Sequence, residues 1–129
     1  MNADERRLET NKFCEKIIGS AYEVANSLGC GFLEKVYENA LCLELNQAGL
    51  IVEQQKLIQV KYKNVIVGDY YADILVNNMV LVELKAQNNL DSSYQAQCIN
   101  YLKATNLHVC LLINFGKARV ETKRIVLDF

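Results

Sequence analysis

The sequence predicts an α/β sandwich, a mixed central sheet flanked by helices. Three observations lead there. Apolar residues recur at helical spacing through the N-terminal third of the chain, the period changes to two from Val52, and the run Val109 to Phe115 is almost unbroken in apolar character, as in a strand buried on both faces. The order that follows is two helices, a three- or four-stranded meander, a helix and two more strands.

Each element has its own signal. Residues 1 to 11 are polar and charged and are expected to form a mobile or helical arm. Cys14, Ile17, Ile18, Ala21, Val24, Ala25 and Leu28 make the first helical stripe, which Gly29 stops. Leu33, Val36, Tyr37, Ala40 and Leu41 make a second, starting just after Gly31 and running towards Ala48, where Gly49 ends it. Leu57, Gln59 and Lys61 then alternate with Ile58, Val60 and Tyr62, and Lys63 and Asn64 offer a turn before Val65 to Val67. Tyr70 to Val76 and Val80 to Lys85 are the next strands, joined around Asn77 and Asn78. Asp91 or Ser92 caps a third helix that runs to about Asn106, and after the apolar strand Lys123 to Leu127 closes the sheet.

Composition narrows the function classes. With 129 residues, 51% hydrophobic and 22% charged, and no proline or low-complexity linker, the chain reads as a single domain over residues 1–129. Its five cysteines are odd in number and form no CxxC pair, which fits neither a disulfide framework nor a zinc ribbon and predicts reduced thiols in a cytoplasmic protein. The polar start holds no signal core, and no apolar run approaches the ~18 residues of a membrane span. A net charge of −1 excludes the global basic field of a strong nonspecific nucleic-acid binder, so any polyanion must be held locally. Gly29-x-Gly31 lacks the third glycine and the preceding strand of a dinucleotide fingerprint and reads as a turn. His108 opens an apolar strand without an evident partner, and Cys98 and Cys110 lie in apolar stretches; all three read as structural.

The chemistry concentrates in one hairpin. Strand alternation puts Asp73 on a face with Tyr71 and Leu75, and Glu83 on a face with Leu81 and Lys85. An isolated ExK is usually a solvated pair, but here nearly every neighbour is apolar, so the three charges must be paired or hold a cation. Two carboxylates from adjacent strands suit a hard divalent ion, and a nearby ammonium can orient a water and meet developing negative charge. This requires a particular register. A two-residue turn with an even ladder pairs Val76 with Met79 and sends Asp73 and Glu83 to opposite faces; a shared metal requires an odd connection, such as a three-residue turn of Asn77, Asn78 and Met79 pairing Val76 with Val80 and setting the two acids opposite one another, or else a bulge that adds one residue. On the helices, Glu34 falls in a first turn, where the dipole favours its ionised form, and Gln97 and Tyr101 stand four apart on one face.

Four motifs in order carry a resemblance. Gly31-Phe32-Leu33-Glu34-Lys35-Val36-Tyr37, Tyr70-Tyr71-Ala72-Asp73, Val82-Glu83-Leu84-Lys85-Ala86 and the stretch from Ala96-Gln97 to Tyr101-Leu102-Lys103, followed by Leu111 to Gly116, are similar to the GxxExxY protein family, a branch of the PD-(D/E)XK nuclease superfamily. The similarity covers about residues 13 to 127. It implies a restriction-endonuclease-like sandwich of order ααββ(β)βαββ. It also implies Mg²⁺ or Mn²⁺ held by Asp73, Glu83, the Leu84 carbonyl and a helical Glu34, with Lys85 assisting the attacking water. Gln97 and Tyr101 resemble the QxxxY pair that in RecB-type nucleases lies beside the active site and the nucleic-acid path. The pattern departs at Cys30 and Tyr94, where the family would place Pro and His.

The leading expectation is a metal-dependent nuclease that hydrolyses nucleic-acid phosphodiester bonds, DNA rather than RNA, by metal-activated water. Setting aside Glu34, Asp73 and Glu83 turns the slight acidic excess into a basic excess of two, and Lys56, Lys61, Lys63, Lys103, Lys117, Lys123 and Arg124 could line a phosphate path. The alternative is a noncatalytic nuclease-fold module for nucleic-acid binding or protein assembly, and a third reading is a small phosphate-ester hydrolase. Sequence selectivity would come from a homodimer or a partner.

Overall fold

The changes of period become eight elements in the computed structural model, which describes every residue from Met1 to Phe129. Helices α1 (Ala3–Leu28) and α2 (Glu34–Gln47) precede strands β1 (Val52–Tyr62), β2 (Val65–Val76) and β3 (Val80–Lys85); α3 (Ser92–Thr105), β4 (Val109–Asn114) and β5 (Glu121–Val126) follow. The strands form one sheet in the order β1-β2-β3-β4-β5, antiparallel except for the β3–β4 pair, which is parallel. Parallel neighbours need a crossover, and α3 supplies it.

Two cores sit on the two faces of this sheet. Ile17, Tyr37 and Leu41 of the first two helices pack on Ile74, Val82 and Leu111, whereas Cys98, Tyr101 and Leu102 of α3 pack on Leu81, Cys110 and Leu112. Strands β3 and β4 are therefore covered on both sides, which is why their sequences read as apolar runs rather than alternations.

Some boundaries follow expectation and others differ. The polar arm is the start of α1: the Asn2 side chain accepts the Glu5 N–H at 2.8 Å, and Asp4 and Glu5 occupy the first turn, where anions are favoured. Its apolar stripe begins only at Cys14 because the earlier turns are mostly exposed. Val65 to Val67 and Tyr70 to Val76 are one strand, so the meander has three strands; a register shift after Val60 leaves Val67 unpaired and keeps β2 continuous through the polar pair Gly68-Asp69. Strand β5 starts at Glu121, ahead of the apolar signal at Ile125. Asp91 caps α3 as expected, accepting the Ser93 N–H at 2.9 Å.

The β2–β3 connection has the required odd count. Met79 N–H donates to the Val76 carbonyl at 3.0 Å, with Asn77 and Asn78 at φ 49° and 55°, a conformation asparagine tolerates well. Val76 then pairs with Val80, Leu75 with Leu81 and Ile74 with Val82, so Met79 is the extra residue.

Candidate active site

The regular β2–β3 ladder ends at Ile74 and Val82, and the next positions in that register are Asp73 and Glu83. There side chains take over from backbone. Glu83 Oε1 accepts the Asp73 N–H at 3.0 Å, and Asp73 Oδ2 accepts the Leu84 N–H at 2.7 Å. Each carboxylate is thus held by the opposite strand, and the strands part where the two acids meet.

The alternation of faces also breaks at this point. Ala72 and Leu75 both pack in the core under α3, while Ile74 packs under α1 and α2. In β1 the Gln54 side chain reaches α2 while Ile58 packs under α3, and Gln55 between them sits at φ 55°. The simple alternation expected for Asp73, Tyr71 and Leu75 therefore fails: Tyr71 is exposed and Leu75 is buried, and the faces reset where left-handed Gln55 and Asp73 leave a gap in the β1–β2 pairing. Asp73 stands at the reset.

Beneath it lies an anchor that the sequence reading missed. Glu38, only 2% exposed, accepts from Lys35 Nζ and Gln54 Nε2, both at 2.6 Å, and from Gln55 Nε2 at 2.9 Å. Gln55 Nε2 also reaches Asp73 Oδ1 at 3.4 Å, linking α2 to the candidate site. The available signal was that Glu38 lies one turn beyond Glu34 on the same helical face.

Burial sets the charge state of the pair. It pushes Glu83 up to about 9, with the Asp73 charge adding to the effect, and Asp73 up to about 6, opposed by the Leu84 N–H. Burial and mutual repulsion both oppose two charges here, so the pair holds a proton more readily than two ordinary carboxyls would. Glu34 is also raised, by burial first, against the pull of Lys85. Lys85 Nζ rests 4.4 Å from the centre of the Tyr94 ring, whose hydroxyl donates to Gln87 Oε1 at 2.7 Å. Tyr94 is thus a platform for the lysine. Gln97 Nε2 donates to the Tyr101 hydroxyl at 2.9 Å, and burial, with Glu83 contributing, pushes that phenol up to about 12.

Two further supports hold the frame. Gly31 has φ 112°, open to glycine, and the Tyr37 hydroxyl pins this loop by donating to the Gly29 carbonyl at 2.6 Å and accepting the Phe32 N–H at 3.2 Å. The Tyr37 ring stacks on Phe115 at 4.7 Å, so Glu34 leaves a fixed loop. At the far end, fully buried Asn114 accepts the Gln87 N–H at 3.0 Å and donates to its carbonyl at 2.8 Å, tying the segment after Lys85 to β4.

Asp73, Glu83 and the Leu84 backbone are brought together; Glu34 and Lys85 lie near enough for their charges to interact, and Gln97 and Tyr101 flank the pair from α3. No three His, Cys, Asp or Glu side chains close into a preassembled cage. The donors are nonetheless all oxygen, as a hard divalent cation requires, and the buried pair resists carrying two charges without a cation to meet them. The seven cations expected to line a phosphate path divide: Lys61 and Lys103 border one recess, Lys56 and Lys117 pair with Glu53 and Glu121, Arg124 donates to Asn11, Lys63 lies over the Tyr62 ring, and Lys123 is exposed on β5.

The model of the PD-(D/E)XK nuclease superfamily matches residues 11–125. The chain belongs to this superfamily. Two solved structures share the fold of this PD-(D/E)XK domain. An alkaline exonuclease from Laribacter hongkongensis, LHK-Exo, aligns with a TM-score of 0.55 at 18% identity, over 73% of this chain and 56% of that one. The protein SSO0001 aligns with a TM-score of 0.55 at 15% identity, over 97% of this chain and 62% of that one. The domain thus spans less than two thirds of either neighbour. No curated protein sequence matches it. The five-stranded mixed sheet and its three helices form a restriction-endonuclease-like fold, and no helix is long and apolar enough to cross a membrane.

Proposed function

We propose that this PD-(D/E)XK domain is a divalent-metal-dependent nuclease of the GxxExxY branch, hydrolysing phosphodiester bonds of nucleic acid, DNA rather than RNA, in the cytoplasm. The observation that carries the reading is the odd β2–β3 register, which sets Asp73 opposite Glu83 with Lys85 two residues further along β3. Asp73, Glu83, the Leu84 carbonyl and Glu34 would hold Mg²⁺ or Mn²⁺. When bound, the ion would supply Lewis-acid charge and a more acidic water. Lys85, steadied on Tyr94, orients the attacking water and meets negative charge as it builds on the phosphate. Gln97 and Tyr101 hold the substrate beside the carboxylates.

Incubation with single-stranded and duplex DNA and RNA in Mg²⁺, Mn²⁺ or EDTA tests the reading. Cleavage should require the ion and disappear in Asp73→Asn and Glu83→Gln, and both variants should lose Mn²⁺ binding by calorimetry. Undiminished cleavage in either variant, or in EDTA, overturns it. A second reading is a noncatalytic module for nucleic-acid binding or protein assembly. It expects no cleavage under any of these conditions.

A further inference from the structure

A recess of about 1040 Å³ lies between α3 and the β1–β2 hairpin. Its lining differs from the rest of the surface. In a chain whose acids outnumber its bases, no carboxylate borders it; Lys61 stands on the hairpin side and Lys103 on the helix side, and the amides of Gln59 and Asn100 share the lining. Tyr70, 51% exposed, leans against Tyr101 with ring centres 5.9 Å apart and planes tilted by 51°. An exposed aromatic ring braced by a buried one is a fixed platform. Tyr101 also connects the recess to the candidate site, since it lies within electrostatic reach of Glu83.

We infer that this recess binds a single strand of nucleic acid, with a base stacked on Tyr70 and the phosphate backbone held between Lys61 and Lys103. The inference rests on the proposed nucleic-acid substrate and adds the strand state and the residues that select it. A positive groove combined with an aromatic platform is the means by which single strands are held without sequence readout. In a duplex the base faces are already stacked on one another, and Tyr70 would meet only edges or backbone. Duplex readers project an element into a groove, whereas this surface is concave and of a size for a few nucleotides.

The test is fluorescence anisotropy of the full chain with a labelled short oligonucleotide in EDTA, as single-stranded DNA, single-stranded RNA or blunt duplex. Either single strand should bind at least about tenfold more tightly than the duplex. Tyr70→Ala should weaken single-strand binding by about tenfold and Tyr70→Phe should restore it, as stacking requires. The double variant Lys61→Ala, Lys103→Ala should lower the slope of log affinity against log salt by about 1.4, the share of two phosphates. Duplex binding as tight as single-strand binding, or undiminished binding by Tyr70→Ala whose circular dichroism matches the parent, overturns the inference. Strands bound as described but never cut in Mn²⁺ would sink the nuclease reading and leave this one standing; cutting with no strand preference in binding would do the reverse.

Discussion

At the scale of single residues, what distinguishes Asp73 and Glu83 is that each fills a hydrogen bond the opposite backbone would otherwise lack. Such a carboxylate cannot swing freely, and its aim is inherited from the sheet. Lys85 is held differently, by a ring rather than by an acid, so its ammonium keeps its donors for other partners. Replacing it with Met keeps the stem and removes the charge. Turnover should fall by about 10²–10⁴-fold, the range of a positioned proton-transfer or charge-stabilising group, while Mn²⁺ affinity measured by calorimetry stays near that of the parent. Undiminished turnover would remove Lys85 from the chemistry. Gln55 combines a left-handed backbone with a side chain that joins Glu38 to Asp73. Removing the side chain as Gln55→Ala leaves the backbone strained, whereas Gln55→Gly relieves it. Urea unfolding should therefore find the glycine variant more stable than the alanine variant by about 1 kcal/mol, and equal stabilities would show that the irregularity costs nothing.

At the scale of elements, the site depends on where strands start, stop and slip. Much of this was legible in the residues themselves. The asparagine pair followed by Met79 announced a turn, and two acids that must share a face allow only the odd register. The caps at Asp91 and the stops after α1 and α2 follow from backbone chemistry that local sequence encodes directly. The reset of faces at Gln55 and Asp73 was not legible, because alternation arguments assume a regular pleat and neither residue is a glycine that would flag a bulge. The Glu38 anchor was hidden for a related reason: its partners Gln54 and Gln55 lie sixteen and seventeen residues away and meet it only through packing. Gly116 shows the same long-range constraint in a form that mutation can read. A Cβ there would sit 2.2 Å from the Gln87 backbone nitrogen, inside the segment that Asn114 ties to β4. Because backbone on both sides must shift, Gly116→Ala should destabilise the fold by about 1–3 kcal/mol in urea titration and loosen the segment following Lys85, seen as faster amide exchange at Gln87. A variant as stable as the parent would mean that the two segments part easily.

At the scale of the whole molecule, the buried acids couple folding to pH and, on the proposed reading, to cations. Glu83 and Asp73 are both raised in the folded chain, to about 9 and about 6, from ordinary carboxylate values. A group raised in this way stabilises the fold fully below its unfolded value, and the contribution is lost as pH climbs through the folded value. The metal-free protein should therefore lose melting temperature steadily between about pH 5 and pH 9, the opposite of a protein whose carboxylates are satisfied as anions. Glu83→Gln keeps the shape and cannot ionise, so its melting temperature should fall less over the same interval and exceed that of the parent at the alkaline end. A divalent cation reverses the argument. On the proposed reading it would bind the ionised pair in the folded chain and not the dispersed acids of the unfolded one, so it would restore stability where the proton has left and displace a proton from the pair near neutral pH. Thermal melts of parent and Glu83→Gln in EDTA and in Mn²⁺ across this range should show the cation raising the parent increasingly with pH and leaving the variant nearly unmoved. If Mn²⁺ raised both equally, the ion would be binding elsewhere; if the metal-free parent grew more stable as pH rose, the two acids would be ionised without cost and the strands would not be holding a charge that needs a partner.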